Sequence, residues 1–157
     1  MRKYLFLFLY LMASSVFASF SIEVSDAELI KNTDHILIGK IVGVDMIDST
    51  GRQIHNIKAK TGSGSQNVIR LIINVDEVLE SNSSNVPAKL YVPLDKLMHY
   101  SYWEIKAHYP EVTDQRLILL SGPDFQSPVP GHFHRELLDK DYYLELFKTN
   151  KLLKQDK

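Results

Sequence analysis

The chain contains no cysteine. That excludes a disulfide-stapled scaffold, a thiolate nucleophile, a Cys-ligated zinc site and a lipidated cysteine anchor. It also lacks a surplus of positive charge: 18 Lys and Arg stand against 19 Asp and Glu, a formal net charge of −1. A general nucleic-acid binder needs a basic surface to neutralise phosphates, so no nucleic-acid partner is expected. Glycine (7) and proline (6) are sparse among 157 residues, which excludes a collagen-like or low-complexity chain. No G-x-S-x-G nucleophile elbow, phosphate-binding G-x-x-x-x-G-K-[ST] or dinucleotide-binding G-x-G-x-x-G is present. Asp76, Glu77 and Glu80 lie along or just past a strand and define no carboxylate pair, so a glycosidase reading gains no support. What remains is an ordinary globular composition, 45% hydrophobic and 24% charged, in a length that suits one domain with a tail.

One long apolar run does occur, at the N-terminus. Met1-Arg2-Lys3 is a cationic start, and Tyr4 to Met12 is entirely apolar or aromatic. Small residues follow at Ala13, Ser14 and Ser15, and Val16-Phe17-Ala18 fits an A-x-A-like cleavage site. This three-part pattern is that of a secretory signal peptide, so residues 1–18 are expected to be removed and the rest secreted or periplasmic. The alternative is an uncleaved anchor, for which the run is short of the roughly 20 apolar residues a span requires. No later stretch approaches that length, so no membrane span is expected after cleavage.

Ser25-Asp26-Ala27-Glu28 reads as a capping box opening a short helix to about Asn32. Asp34 to Ile47 is rich in β-branched residues and reads as a strand. Its Gly39 and Gly43 suggest bulges or bends. From Val68 to Leu79 the alternation of Ile69, Leu71, Ile73 and Val75 with polar neighbours predicts a half-buried strand. Lys89–Val92 and Arg116–Leu120 are shorter strands. The threes-and-fours spacing of Leu94, Leu97, Met98, Tyr102, Ile105 and Tyr109 predicts a helix over 93–109, stopped by Pro110. Residues 121–134 hold two glycines and three prolines and read as irregular loop, and Asp139 precedes a helical tail. The expected organisation is a signal peptide (1–18), a β-rich domain (19–138) with a flexible loop at 48–67, and a C-terminal helix and tail (139–157).

The segments Thr33–Ile41, Ile73–Glu80 and Arg116–Leu120, with the variable loop between the first two, form an order of helix, Ile/Val-rich strand, strand, short strand and Leu-rich strand. Across residues 25–122 this order resembles exported OB-like β-barrel domains, the architecture of netrin-like modules and tissue inhibitors of metalloproteinases. The resemblance implies an α+β fold that is mainly β: a small antiparallel barrel with an inserted helix and a C-terminal helix. It rests on apolar spacing, and without cysteines the inhibitors' Cys-anchored N-terminus has no counterpart. No functional residue is carried over, because such barrels host many unrelated activities.

Three features could carry function. The 48–67 loop holds Arg52, Lys58 and Lys60 without an acidic residue after Asp48, and Gly62-Ser63-Gly64-Ser65 within it is a flexible run. A basic loop of that length is either a partner-binding segment or a tolerated connection. His99 to Glu104 and His108-Tyr109 gather aromatics around the single tryptophan. Tyr102 and Tyr109 fall on the apolar stripe and read as core, whereas Tyr100 and Trp103 fall off it and read as contacts for a protein or glycan partner. Finally, His132 and His134 stand two apart, where an extended backbone turns both to one side. With Glu136, or with His99 or His108, they could hold zinc and support a metal-dependent hydrolase; otherwise they are surface histidines after a Pro-Gly turn. Asn82-Ser83-Ser84 fits the N-glycosylation sequon, which matters only in a host that glycosylates exported chains. The leading expectation is an exported, non-enzymatic binding module, with the metal protein as alternative. A third possibility is an accessory subunit docking its C-terminal helix.

Overall fold

The computed structural model describes residues 24–109 and 114–155. The expected signal peptide, residues 1–18, and the expected helix stop at Pro110 lie outside the described residues. The elements are α1 (Asp26–Lys31), β1 (His35–Ile47), β2 (Val68–Ser81), β3 (Lys89–Pro93), α2 (Tyr102–His108), β4 (Arg116–Leu120), β5 (His134–Glu136), a 3₁₀ turn (Leu137–Asp139) and α3 (Lys140–Gln155). The fold is mixed α+β, with a five-stranded antiparallel sheet in the order β3-β2-β1-β4-β5 and three α-helices. Among the described residues the sheet is open, with β3 and β5 at its two edges.

The two long strands, β1 and β2, form the spine. Their register shifts at three places, and each leaves one residue without a partner on the facing strand. At the shift from Ile41↔Ile73 to Gly43↔Ile72 the unpaired residue is Val42. An inserted residue moves every later side chain to the opposite face and bends the strand. Leu37 and Ile41 therefore join the same apolar cluster as Val44 and Met46, although their spacing changes parity across the bulge. That cluster also takes Ile69, Leu71 and Ile73 from β2, Leu90 and Val92 from β3, and Ile118 and Leu120 from β4.

The other face is covered as well. Leu29 and Ile30 of α1, Ile36, Leu117, Leu119, and Tyr143 and Phe147 of α3 form a second buried cluster. This explains why Leu117 to Leu120 is a continuous apolar run: alternate residues feed opposite clusters. Ser25 caps α1, its hydroxyl accepting from the Glu28 amide at 3.2 Å. The C-terminal helix is thus part of the packed domain. The Tyr143 hydroxyl ties it down, lying 2.5 Å from the Asp26 carboxylate and accepting from Arg135 Nε at 2.7 Å. Burial, with Asp26 beside it, pushes this phenol up to about 12. No helix among the described residues is long and apolar enough to cross a membrane.

Two elements depart from expectation. The helix expected over 93–109 spans only Tyr102–His108. Pro93 ends β3, and Asp95 folds the next residues into a turn, accepting from Leu97 N at 2.9 Å. Ser101 is held extended by an antiparallel bridge to Lys60, so helical geometry begins only at Tyr102. The loop expected over 121–134 runs into β5, which pairs with β4 through Ile118↔His134 to Arg116↔Glu136. Three residues rich in charge carry no strand periodicity, so only tertiary pairing defines that strand.

Candidate binding surface

Residues 57–61 of the basic loop pair with residues 98–103. Thr61 N donates to Tyr100 O (3.0 Å), Tyr102 N to Ala59 O (3.0 Å) and Trp103 N to Ile57 O (3.1 Å). The first amides of a helix have no partner within it. Here the loop carbonyls of Ile57 and Ala59 accept from the first two amides of α2. The Thr61 hydroxyl fastens the other end, donating to Met98 O at 2.7 Å and lying 3.0 Å from the Tyr100 amide. Beneath the pairing, Ile54 and Ala59 pack on the larger apolar cluster.

Exposed apolar side chains stand at both ends of the pairing, Ile57 with Trp103 at one and Met98 with its neighbour Leu97 at the other. Ile57 and Trp103 are each 54% exposed, Leu97 is 71% and Met98 50% exposed. Lys58, Lys60, Lys96 and Lys106 are exposed on or next to these segments, as is Glu104, so lysines outnumber carboxylates among the exposed residues there. Lys106 leans over the Tyr102 ring at 5.7 Å from its centroid. Two of the expected contact residues, Lys58 and Lys60, thus lie on the segment that pairs with the one carrying Trp103. Arg52 is set apart, pairing at 3.0 Å with Asp48 in its own turn. The Thr50 hydroxyl, foremost, holds the Asp48 carboxyl below the usual carboxylate range.

Tyr100 differs from expectation. It is half-buried against the larger cluster, and burial raises its phenol above the ordinary value. Tyr102 is buried and Tyr109 half-buried, as their spacing predicts. The exposed apolar residues that sequence reasoning did not single out are Ile57, Leu97 and Met98. Leu97 and Met98 are apolar residues at helical spacing and read as core until the turn at Asp95 rotates them outward. Nothing in the local pattern marks Ile57, because its placement depends on pairing across more than forty residues.

The histidines are distributed differently. His132 lies in a turn bridged to Val129, and His134 lies on β5. His134 is half-buried, with Tyr109 edge-on at 6.1 Å between ring centroids. Burial foremost, with Arg116 and Arg135 nearby, lowers its pKa. Among the described residues no three His, Asp or Glu side chains form a group able to hold one metal ion. The buried His35 bridges turns instead: its Nε2 donates to Gly122 O at 3.0 Å, and its Nδ1 lies 2.8 Å from the Ser81 hydroxyl. No family model, curated protein or solved structure matches the chain.

Proposed function

We propose that the chain is an exported, non-enzymatic module that binds a protein partner through the surface formed by residues 57–61 and 97–103. The observation that carries this reading is the exposure of Ile57, Leu97, Met98 and Trp103, each at least half exposed, on two segments that pair with each other, with four exposed lysines on or next to them. Contiguous exposed apolar side chains with a polar rim are characteristic of recognition surfaces, and tryptophan is enriched at their centres. The partner's complementary chemistry is an apolar knob flanked by carboxylates. Three aliphatic side chains and a single indole fit that better than a sugar, which needs a ring of hydrogen-bonding groups. Export follows from the signal-peptide pattern of residues 1–18. The scaffold is read as an OB-like barrel, and the bulged β1–β2 spine supports that reading.

The test places a photocrosslinking amino acid at position 103 and, as a control, at Glu77 on the exposed part of β2, in the chain expressed with its own N-terminus. One protein crosslinked from position 103 alone, whose purified form binds residues 19–157, is the expected result. Trp103→Ala is then expected to weaken binding by about 2 kcal/mol or more, the size of a hot-spot loss. Equal crosslinking from both positions, or unchanged affinity in Trp103→Ala, overturns the proposal.

A further inference from the structure

A groove of about 550 Å³ lies between the end of β3 with the residues that follow it and the 126–130 loop, lined in part by Arg70, Tyr91, Asp95, Lys96, Gln126 and Ser127. Its size falls in the range of small-ligand sites. We propose that this groove binds a neutral oligosaccharide. The proposal is independent of the protein-binding reading; the two surfaces meet at Asp95–Leu97.

The first argument is the platform. The Arg70 guanidinium lies over the Tyr91 ring, 4.7 Å from its centroid, while Tyr91 stays 45% exposed. Arg70 is itself fixed, because Asp45, only 7% exposed, accepts from its Nε at 2.9 Å and its Nη2 at 2.5 Å. An aromatic side chain held rigid on one side and open on another offers an apolar face beside a polar tip. The C–H face of a pyranose ring is complementary to such a surface.

The second argument is the mixture of hydrogen-bonding groups. Sugar hydroxyls both donate and accept, so their site needs both kinds of partner. Asp45 occupies two of the three Arg70 nitrogens, which leaves Nη1 as a donor. Gln126 uses its amide nitrogen on Asp124 O, which leaves its carbonyl oxygen as an acceptor. Ser127 donates to Val129 O and retains its oxygen lone pairs. Lys96 and the Tyr91 hydroxyl add donors.

The third argument is charge. Arg70 is neutralised by Asp45, and Asp95 stands next to Lys96, so the groove presents no strong field of one sign. An acidic polymer or a phosphate would be favoured by an excess of cations, which this groove does not offer.

The test titrates ¹⁵N-labelled residues 19–157 with cellotriose, maltotriose and N,N′,N″-triacetylchitotriose, each to about 10 mM, which saturates a site with a Kd of about 1 mM. The acidic trigalacturonate is run in parallel. The expected result is saturable shifts from at least one neutral trisaccharide, confined to 68–70, 91–96 and 126–130. Tyr91→Ala, whose dispersed spectrum reports folding, is expected to weaken binding at least tenfold, while Tyr91→Phe keeps the platform and most of the affinity. Three outcomes overturn the proposal: no shift with any neutral trisaccharide, binding of trigalacturonate alone, or unchanged affinity in a folded Tyr91→Ala variant.

Discussion

At Gly39 a single hydrogen atom decides whether β1 and β2 can approach. A Cβ there would stand 2.6 Å from the Asn74 carbonyl oxygen and 3.1 Å from the Ile73 methyl group. The carbonyl belongs to the paired backbone and cannot swing aside. Gly39→Ala is therefore expected to cost about 1–3 kcal/mol, the range for overfilling a packed site, read as a lower urea midpoint. His134 carries a second residue-scale prediction. Its folded pKa lies below the ordinary 6.5, chiefly from burial. Between the two values the unfolded chain binds more protons, so stability falls as pH drops through 6.5 toward the folded value, and is fully present above 6.5. Thermal unfolding measured at about pH 7.5 and about pH 5.5 is expected to show the lower midpoint in acid, with the difference reduced in His134→Gln. An unchanged difference in the variant would assign the effect to other groups. Of these positions, Gly39 was legible as a bend in a strand, because glycine in a β-branched run signals close approach. The His134 environment was not, since Arg116 and Tyr109 reach it only through the fold.

At the scale of elements, local pattern sufficed where one segment's own periodicity determined its partner face. The bounds of β1, β2, β3, β4 and α3 follow their apolar spacing closely. It failed where a distant segment competes for the backbone. The apolar spacing of 93–109 is helical, yet Thr61 and Lys60 claim the backbone at Tyr100 and Ser101 and hold it extended. The cost of delaying the helix is offset by loop carbonyls that satisfy its first amides. Gly62 sits at the hinge of this arrangement. Its φ is +117°, and a Cβ there would stand 2.1 Å from His99 Nδ1. His99 is exposed and can turn away, but the backbone strain remains. Gly62→Ala is expected to lower stability by about 1 kcal/mol and to speed hydrogen exchange at the Thr61, Tyr102 and Trp103 amides selectively. Uniformly faster exchange along β1 and β4 would mean that the loop does not open on its own. The same variant is expected to weaken partner binding, because Ile57 and Trp103 keep their spacing only while the segments stay paired.

For the whole molecule, the two apolar clusters share their central strands. Leu117 and Leu119 face one cluster, Ile118 and Leu120 the other, and Ile36 and Leu37 divide in the same way. Loss of either cluster therefore strips one side of β1 and β4 and leaves those backbones without half of their burial. This coupling makes α3 part of the domain rather than an appended arm. Its Phe147 is 6% exposed, and replacing it by alanine is expected to cost about 3–5 kcal/mol. Trp103, the only tryptophan, reports from the other cluster's side, where α2 is anchored by the buried Tyr102. In a single cooperative transition, Trp103 fluorescence and far-ultraviolet circular dichroism trace the same urea curve. Phe147→Ala is expected to shift both curves to the same lower midpoint, although residue 147 belongs to the opposite cluster. If the fluorescence midpoint stayed while the circular dichroism midpoint fell, α1 and α3 would be unfolding independently. The docking of the C-terminal helix could then be separated from the proposed binding surface. If the two move together, every substitution that loosens α3 also lowers the population of chains able to present Ile57, Leu97, Met98 and Trp103 to a partner.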